Sequence, residues 1–120
     1  MVDDNEDILE TIGEGLKYLG YQVSLAKDGN EAVGLYKKAL RSKRPFDLLI
    51  MDLTIPGGMG GKEAIKKLKE IDPTVKAVAS SGYSNDPVMA NPKEYGFSAS
   101  FAKPYKMEKL SKTLGELLVN

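Results

Sequence analysis

The segment of residues 47–58 constrains the fold more than any other, because a run of apolar residues ends there in a carboxylate and a turn. Residues 48–51 are apolar without alternation, the pattern typical of a parallel strand that helices cover on both faces. Asp52 follows directly, and a Pro-Gly-Gly turn comes next at 56–58. The sequence therefore predicts a central strand with an acid at its carboxyl end, the edge where open α/β sheets bind ligands. The simpler alternative is that Asp52 only ends the strand or caps the next helix.

Helix and strand patterns alternate along the rest of the chain. Apolar residues at helical spacing predict helices within residues 8–19, 31–40, 64–71 and 107–118. Pro87 suits the first position of a further, short helix that runs towards Tyr95. Further strands are predicted at residues 21–25, 75–79 and 97–102, and residues 1–2 are the end of a first strand. This alternation with short connections predicts one α/β domain over residues 1–120, with a parallel sheet and right-handed crossovers.

Composition excludes several kinds of chemistry. The chain contains no Cys and no His, which removes disulfides, thiolate nucleophiles, imidazole bases and metal sites built on sulfur or imidazole. Lys plus Arg and Asp plus Glu both number 17, so the net charge gives no reason to expect binding to nucleic acid or to an anionic membrane. No apolar run approaches the roughly 20 residues of a membrane span. No signal peptide precedes the first acids, so a cytoplasmic location is expected.

Polar residues stand at the carboxyl ends of four predicted strands: Asp3 with Asp4, Asp52, Ser81 and Lys103. Because the carboxyl ends of parallel strands share one edge of a sheet, these groups are expected to meet. Crowded carboxylates repel one another unless a cation lies among them, and oxygen ligands alone favour Mg²⁺, or Mn²⁺ as a substitute. An ammonium and a hydroxyl beside them suit a phosphoryl group. The alternative for residues 3–7 is an acidic cap on the first helix.

Through this set the chain resembles the receiver domain of two-component response regulators, a CheY-like domain, over nearly all of its 120 residues. The resemblance rests on these motifs: the Asp pair at 3–4, Asp52 with Pro56, Ser-Gly at 81–82 and Lys-Pro at 103–104. Residues 57–61 and 80–84 are most similar to receivers of hybrid sensor histidine kinases. The resemblance implies two-component phosphorelay signalling and a flavodoxin-like, doubly wound sheet of five parallel strands in the order 2-1-3-4-5, with helices on both faces.

The family's roles, carried over to the matching positions, make Asp52 the nucleophile. It would take a phosphoryl group from a phosphohistidine on a histidine kinase or a histidine phosphotransfer domain. Mg²⁺ would be held by Asp4, Asp52 and the backbone carbonyl of Thr54, while Asp3 would act through a water molecule. The resemblance thus implies a phosphoprotein that catalyses its own phosphorylation and dephosphorylation, not a stand-alone enzyme.

The same resemblance assigns roles at the other strand ends. Lys103 would pair with the phosphoryl oxygens, and the Ser81 hydroxyl would hydrogen-bond to one of them. A cis peptide bond before Pro104 is implied as well. Many receivers carry Tyr or Phe three residues before the lysine as a rotameric switch, but this chain has Ser100 there, and Tyr105 is not at an equivalent position. By resemblance, the surface of the fourth helix, fifth strand and last helix reports the phosphorylation state.

The first strand is nearly missing, because only Met1 and Val2 precede the acids, whereas a strand usually has about five residues. Losing some four buried aliphatic side chains at roughly 1.5–3 kcal/mol each removes about 6–12 kcal/mol, comparable with the whole stability of a domain. Two explanations are open. The sequence is a fragment of a longer chain, such as a hybrid histidine kinase, or the strand is exchanged between the protomers of a homodimer.

Three alternatives compete with a receiver. A haloacid-dehalogenase-like, Mg²⁺-dependent phosphatase or phosphotransferase also forms an aspartyl phosphate, but it needs a second Asp where Thr54 stands. A nucleotide-binding P-loop needs Gly at Pro56 and Ser or Thr at Glu63. An interaction domain that is never phosphorylated stays open, although the intact set of site residues favours a phosphoacceptor.

Overall fold

The computed structural model describes residues 1–53, 55, 58–83 and 85–118. Its helices are α1 (Glu6–Tyr18), α2 (Gly29–Arg41), α3 (Gly61–Ile71), α4 (Pro87–Ala90) and α5 (Met107–Leu118), with a 3₁₀ helix at Pro92–Tyr95. Its strands are β1 (Leu49–Asp52), β2 (Ala77–Ser81) and β3 (Ala99–Ala102). The predicted alternation is confirmed, although β2 and β3 begin later than predicted and the short helix from Pro87 is split in two. Among the described residues, none of the helices combines the length and the apolar character that a membrane span needs.

The three strands form a parallel sheet in the order β1-β2-β3. At the start of the chain, Val2 forms parallel bridges with both Ala26 and Met51. Its N–H donates to Ile50 O at 2.7 Å, and the N–H of Asp3 donates to Ala26 O at 3.1 Å. The first residues therefore lie between residue 26 and β1, which is the place of the first strand in a 2-1-3-4-5 sheet.

The strand predicted at residues 21–25 is not formed, and this expectation was wrong. In its place, the amino group of Met1 donates to Ser24 O at 2.8 Å and the N–H of Ala26 donates to Met1 O at 2.9 Å. A strand needs a second backbone running beside it. Among the described residues, no backbone runs beside residues 21–23, so their alternating pattern forms no ladder. Two of the five predicted strands are thus reduced to single bridges in the described part of the chain.

Two clusters of buried side chains cover the two faces of the sheet. One lies beneath α2 and α3 and includes Met51 and Leu68, while the other lies beneath α1 and α5 and includes Ile50 and Leu16. The neighbours Ile50 and Met51 therefore point to opposite faces. Every residue of β1 and β2 is buried, which explains why the central apolar run shows no alternation.

Asn5, and not the acids before it, caps α1. Its Oδ1 accepts hydrogen bonds from the N–H groups of Asp7 at 3.0 Å and Ile8 at 3.2 Å. These bonds satisfy free donors of the first turn. Asp3 Oδ1 accepts a bond from the Asn5 N–H at 2.9 Å, just outside the helix. The alternative of an N-terminal cap therefore holds for Asn5 and for the first-turn acids Glu6 and Asp7, whereas Asp3 and Asp4 stand before the cap.

Candidate functional site

Side chains from four segments meet at one edge of the sheet. Asp52 is the last residue of β1, Ser81 is the last residue of β2, and Lys103 directly follows β3. Asp3 directly follows Val2, whose bridges hold the start of the chain beside β1. Because all these segments run parallel, the residues share the carboxyl edge, as the sequence predicted.

Three carboxylates crowd together at this edge. Asp3, Asp4 and Asp52 each offer one oxygen, and these oxygens all lie within 4.8 Å of one another. Asp3 is fully buried, Asp52 is 5 % exposed and Asp4 is exposed. A donor set made only of carboxylate oxygens fits a hard divalent cation such as Mg²⁺ or Mn²⁺, and the exposed Asp4 leaves the cluster open to solvent. The cluster is therefore suited to holding a metal ion.

Lys103 brings a positive charge among the acids. Its Nζ lies 2.8 Å from Asp3 Oδ2 and donates a hydrogen bond to Asp52 Oδ2 at 2.9 Å. Burial disfavours the ammonium, but the hydrogen bonds and charges of the two aspartates outweigh burial and raise the pKa of Lys103 above its ordinary value. Lys103 is therefore charged at physiological pH. Its peptide bond to Pro104 is cis, as the resemblance implied.

Ser81 lies at the same edge, but its hydroxyl oxygen is engaged with the following loop. Ser81 Oγ accepts a hydrogen bond from the Tyr83 N–H at 2.9 Å, and the residue is 1 % exposed. Its role in binding a phosphoryl group stays a prediction. Thr54, whose carbonyl is the remaining predicted metal ligand, lies outside the described residues, as do Pro56, Gly57 and Ser84 of the resemblance.

Tyr105 lies beside the site, although its place in the sequence does not match that of the family's aromatic switch. Its hydroxyl donates a hydrogen bond of 2.6 Å to Ser80 Oγ, and its ring stacks on Phe101 with centroids 5.7 Å apart and planes inclined by 14°. Burial raises the pKa of Tyr105 to about 12, so the hydroxyl is a donor at neutral pH. The pairing of Tyr105 with Ser80 could not be predicted from the sequence, because no local spacing rule connects a residue of one strand with a tyrosine that follows another strand.

Ser100 occupies the position where many receivers carry an aromatic switch. Its Oγ donates a hydrogen bond to Met89 O at 2.8 Å. Ser100 therefore ties β3 to α4, and a rotating aromatic ring has no counterpart at this position.

The arrangement favours attack by a carboxylate oxygen on an anionic group. Asp52 is the last residue of β1, and the ammonium of Lys103 lies beside it to pair with incoming negative oxygens. The neighbouring carboxylates of Asp3 and Asp4 add the means to hold a cation that offsets further negative charge. Such a site suits phosphoryl chemistry more than acyl or hydride chemistry.

Comparisons with known proteins point in the same direction. A family model described as the response regulator receiver domain matches residues 1–115. The chain is 33% identical over 110 residues to the response regulator receiver protein Anae109_2439 of Anaeromyxobacter sp. (strain Fw109-5). It is 32% identical, also over 110 residues, to the sporulation initiation phosphotransferase F of Bacillus subtilis (strain 168). Each match covers 92% of this chain, but only 44% of the first protein and 84% of the second. The chain thus spans less than half the length of the Anaeromyxobacter relative.

The fold has close counterparts among solved structures. A chain in the crystal structure of the CheX-CheY-BeF3-Mg+2 complex from Borrelia burgdorferi matches with a TM-score of 0.88 at 22% identity. The match covers 99% of this chain and 87% of that chain. At this identity the likeness shows the fold alone, and it confirms the predicted CheY-like, flavodoxin-like α/β architecture.

Proposed function

Because the chain belongs to the response regulator receiver domain family, and is thus a receiver domain of two-component systems, we propose that Asp52 is its phosphoacceptor. The donor is a phosphohistidine on a histidine kinase or on a histidine phosphotransfer domain. The observation that carries the proposal is the contact of 2.9 Å between Asp52 and Lys103 inside a cluster of acids at the carboxyl edge. A carboxylate so placed has both a counter-ion for the incoming phosphoryl oxygens and neighbours that suit a metal ion.

In the proposed transfer, an Asp52 carboxylate oxygen forms a bond to phosphorus while the phosphorus–nitrogen bond of the phosphohistidine breaks. The electron pair of that bond leaves with the imidazole, and the product is an aspartyl phosphate. Lys103 exchanges its hydrogen bond to Asp52 Oδ2 for one to a phosphoryl oxygen and keeps its contact with Asp3. The Ser81 hydroxyl turns inwards and donates to another phosphoryl oxygen.

Metal binding is assigned to the acid cluster. Asp4, Asp52 and the carbonyl of Thr54 would hold Mg²⁺, with Asp3 contributing through a water molecule, and Mn²⁺ would substitute. The bound ion would offset charge on the transferring phosphoryl group. Asp3 is already paired with Lys103 at 2.8 Å, which agrees with an indirect part for this acid.

The proposal extends to the setting of the domain. We take residues 1–120 as one receiver domain, and the motifs at 57–61 and 80–84 as those of a receiver in a hybrid histidine kinase.

Phosphorylation is tested by incubating the protein with acetyl phosphate and Mg²⁺ and measuring its intact mass. The wild type is expected to gain the mass of one phosphoryl group, and Asp52→Asn is expected to gain none, because an amide cannot form the acyl phosphate. Asp47→Asn is the matched control, since Asp47 is an exposed acid that precedes the same strand. A gain in Asp52→Asn equal to that of the wild type would refute the assignment of the acceptor.

Metal binding is tested by thermal unfolding with and without millimolar Mg²⁺. Binding to the folded state alone stabilises by about 2.7 kcal/mol at 100 times the Kd, so the melting temperature of the wild type is expected to rise. Asp4→Asn is expected to lose most of this rise in melting temperature. Asp7→Asn is the control and is expected to keep the rise, because Asp7 is an exposed acid in the first turn of α1. An unchanged melting temperature of the wild type in Mg²⁺ would contradict the metal site.

A further inference from the structure

The chain leaves β3 at Lys103, the residue whose ammonium contacts Asp52. The backbone N–H of Lys103 donates to Ser81 O at 2.9 Å, which is the last ladder bond of β3. Pro104 follows and has no N–H to donate. The next anchor along the chain is Tyr105, through its hydrogen bond of 2.6 Å to Ser80 Oγ and its stacking on Phe101.

Ser80 is the residue that stands between this anchor and the phosphoacceptor. Across the sheet it is in register with Asp52 on one side and Phe101 on the other. Its carbonyl accepts a bond from the N–H of Leu53 at 2.9 Å, so its backbone also fixes the residue after Asp52. Ser80 is therefore paired with Asp52 through the sheet and with Tyr105 through its side chain. Tyr105 lies two residues after Lys103, whose Nζ in turn contacts Asp52.

We propose that the Tyr105 hydroxyl, acting through Ser80, is a positioning group that holds Lys103 in place for phosphoryl transfer at Asp52. The inference rests on the proposed function of Asp52. Ser80 is fully buried, and the hydrogen bond from the Tyr105 hydroxyl joins the segment after Lys103 to β2, the strand beside the acceptor, in addition to the backbone bond from Lys103 to Ser81.

The chemistry requires such an anchor because Lys103 has to change partners. When Asp52 forms its acyl phosphate, the hydrogen bond at Oδ2 is replaced by one to a phosphoryl oxygen, and the ammonium has to move without losing its alignment. A backbone that is fixed on both sides of Lys103, by Ser81 and by Tyr105, confines this movement to the side chain. Stacking on Phe101 fixes the ring, so that the hydroxyl meets Ser80 from one direction.

Tyr105→Phe keeps the stacked ring and removes only the hydroxyl. We expect the maximal rate of phosphorylation by acetyl phosphate in Mg²⁺, followed by intact mass, to fall about tenfold, the equivalent of one positioning hydrogen bond. Ser80→Ala removes the other partner and is expected to cause the same loss. Tyr36→Phe is the matched control, because the Tyr36 hydroxyl makes a comparable bond of 2.7 Å to Asp72 in the opposite layer. It should lose stability without losing rate.

A double-mutant cycle separates positioning from mere packing. If Tyr105 acts through Lys103, adding Tyr105→Phe to Lys103→Met leaves the rate of Lys103→Met unchanged. An equal fold-loss in both backgrounds, or a wild-type rate in Tyr105→Phe and Ser80→Ala, would overturn the inference. Both outcomes presuppose that the wild type becomes phosphorylated, so they differ from a failure of the proposed function, in which the wild type gains no mass.

Discussion

Replacing Lys103 with methionine is expected to lower the free energy of unfolding of the metal-free protein by about 3–5 kcal/mol. Methionine keeps most of the length of the side chain, but Asp3 and Asp52 lose the ammonium that lies 2.8 and 2.9 Å from them. Both acids are almost fully buried, so water cannot take its place at little cost. Urea unfolding in the presence of a chelator measures the loss.

Lys106→Met is the matched control for this prediction. Lys106 is an exposed lysine that follows shortly after Lys103, and its replacement is expected to change stability by less than about 0.5 kcal/mol. Adding Asp52→Asn to Lys103→Met is expected to restore part of the stability, since one buried negative charge is removed with it. Mg²⁺ should likewise stabilise Lys103→Met more than the wild type. Equal unfolding midpoints for Lys103→Met and Lys106→Met would show that the buried carboxylates do not depend on the ammonium.

The meeting of the acids with Lys103 could be predicted from the sequence because it follows from topology. Once the chain was assigned to parallel strands, every residue that directly follows a strand had to lie at one edge. The coordinates confirm this proximity for Asp3, Asp4, Asp52 and Lys103. Their roles in phosphoryl transfer stay predictions, because the distances between side chains do not show which of them react.

The features that the sequence did not predict depend on partners distant in the chain. The bond from Tyr105 to Ser80 joins two side chains that no helical or strand period relates. The alternation at residues 21–25 was a sound local signal, but a strand forms only where a second backbone runs beside it. The strand predicted from residue 75 begins at Ala77, and the N–H of Val75 instead closes a turn at Asp72 O, at 3.1 Å.

Extending the 120-residue polypeptide at its N-terminus by four β-branched apolar residues is expected to raise the free energy of unfolding by about 2–4 kcal/mol. A groove of about 980 Å³ runs beside Met1, lined on one side by residues 21–24 and on the other by residues 47–50. Four buried apolar side chains contribute roughly 1.5–3 kcal/mol each, while ordering each residue costs about 1–2 kcal/mol. The bridges that Val2 makes on both sides set the direction of the added strand.

An extension of four Gly and Ser residues is the matched control. It has the same length and also moves the charged terminus away from Met1, but it buries no apolar surface and orders poorly in a strand. Urea unfolding of the three polypeptides separates the two contributions. Circular dichroism should also show more strand in the apolar extension, as residues 21–25 gain a partner. Equal stability of the two extended proteins would contradict the interpretation of the groove as a strand position.

The amino group of Met1 gives this prediction a pH dependence of known sign. Burial lowers the pKa of that group from 8.0 to about 6 in the folded protein. Between these two values the unfolded chain binds more protons than the folded one, so the stability of the 120-residue polypeptide rises as the pH is raised from 6 to 8. Both extensions place the terminus elsewhere and lose this rise. The increase in the free energy of unfolding that either extension brings is therefore larger at pH 6 than above pH 8, by at most about 2–3 kcal/mol. The difference in stability between the two extended proteins reports apolar burial alone, and it is the same at both pH values.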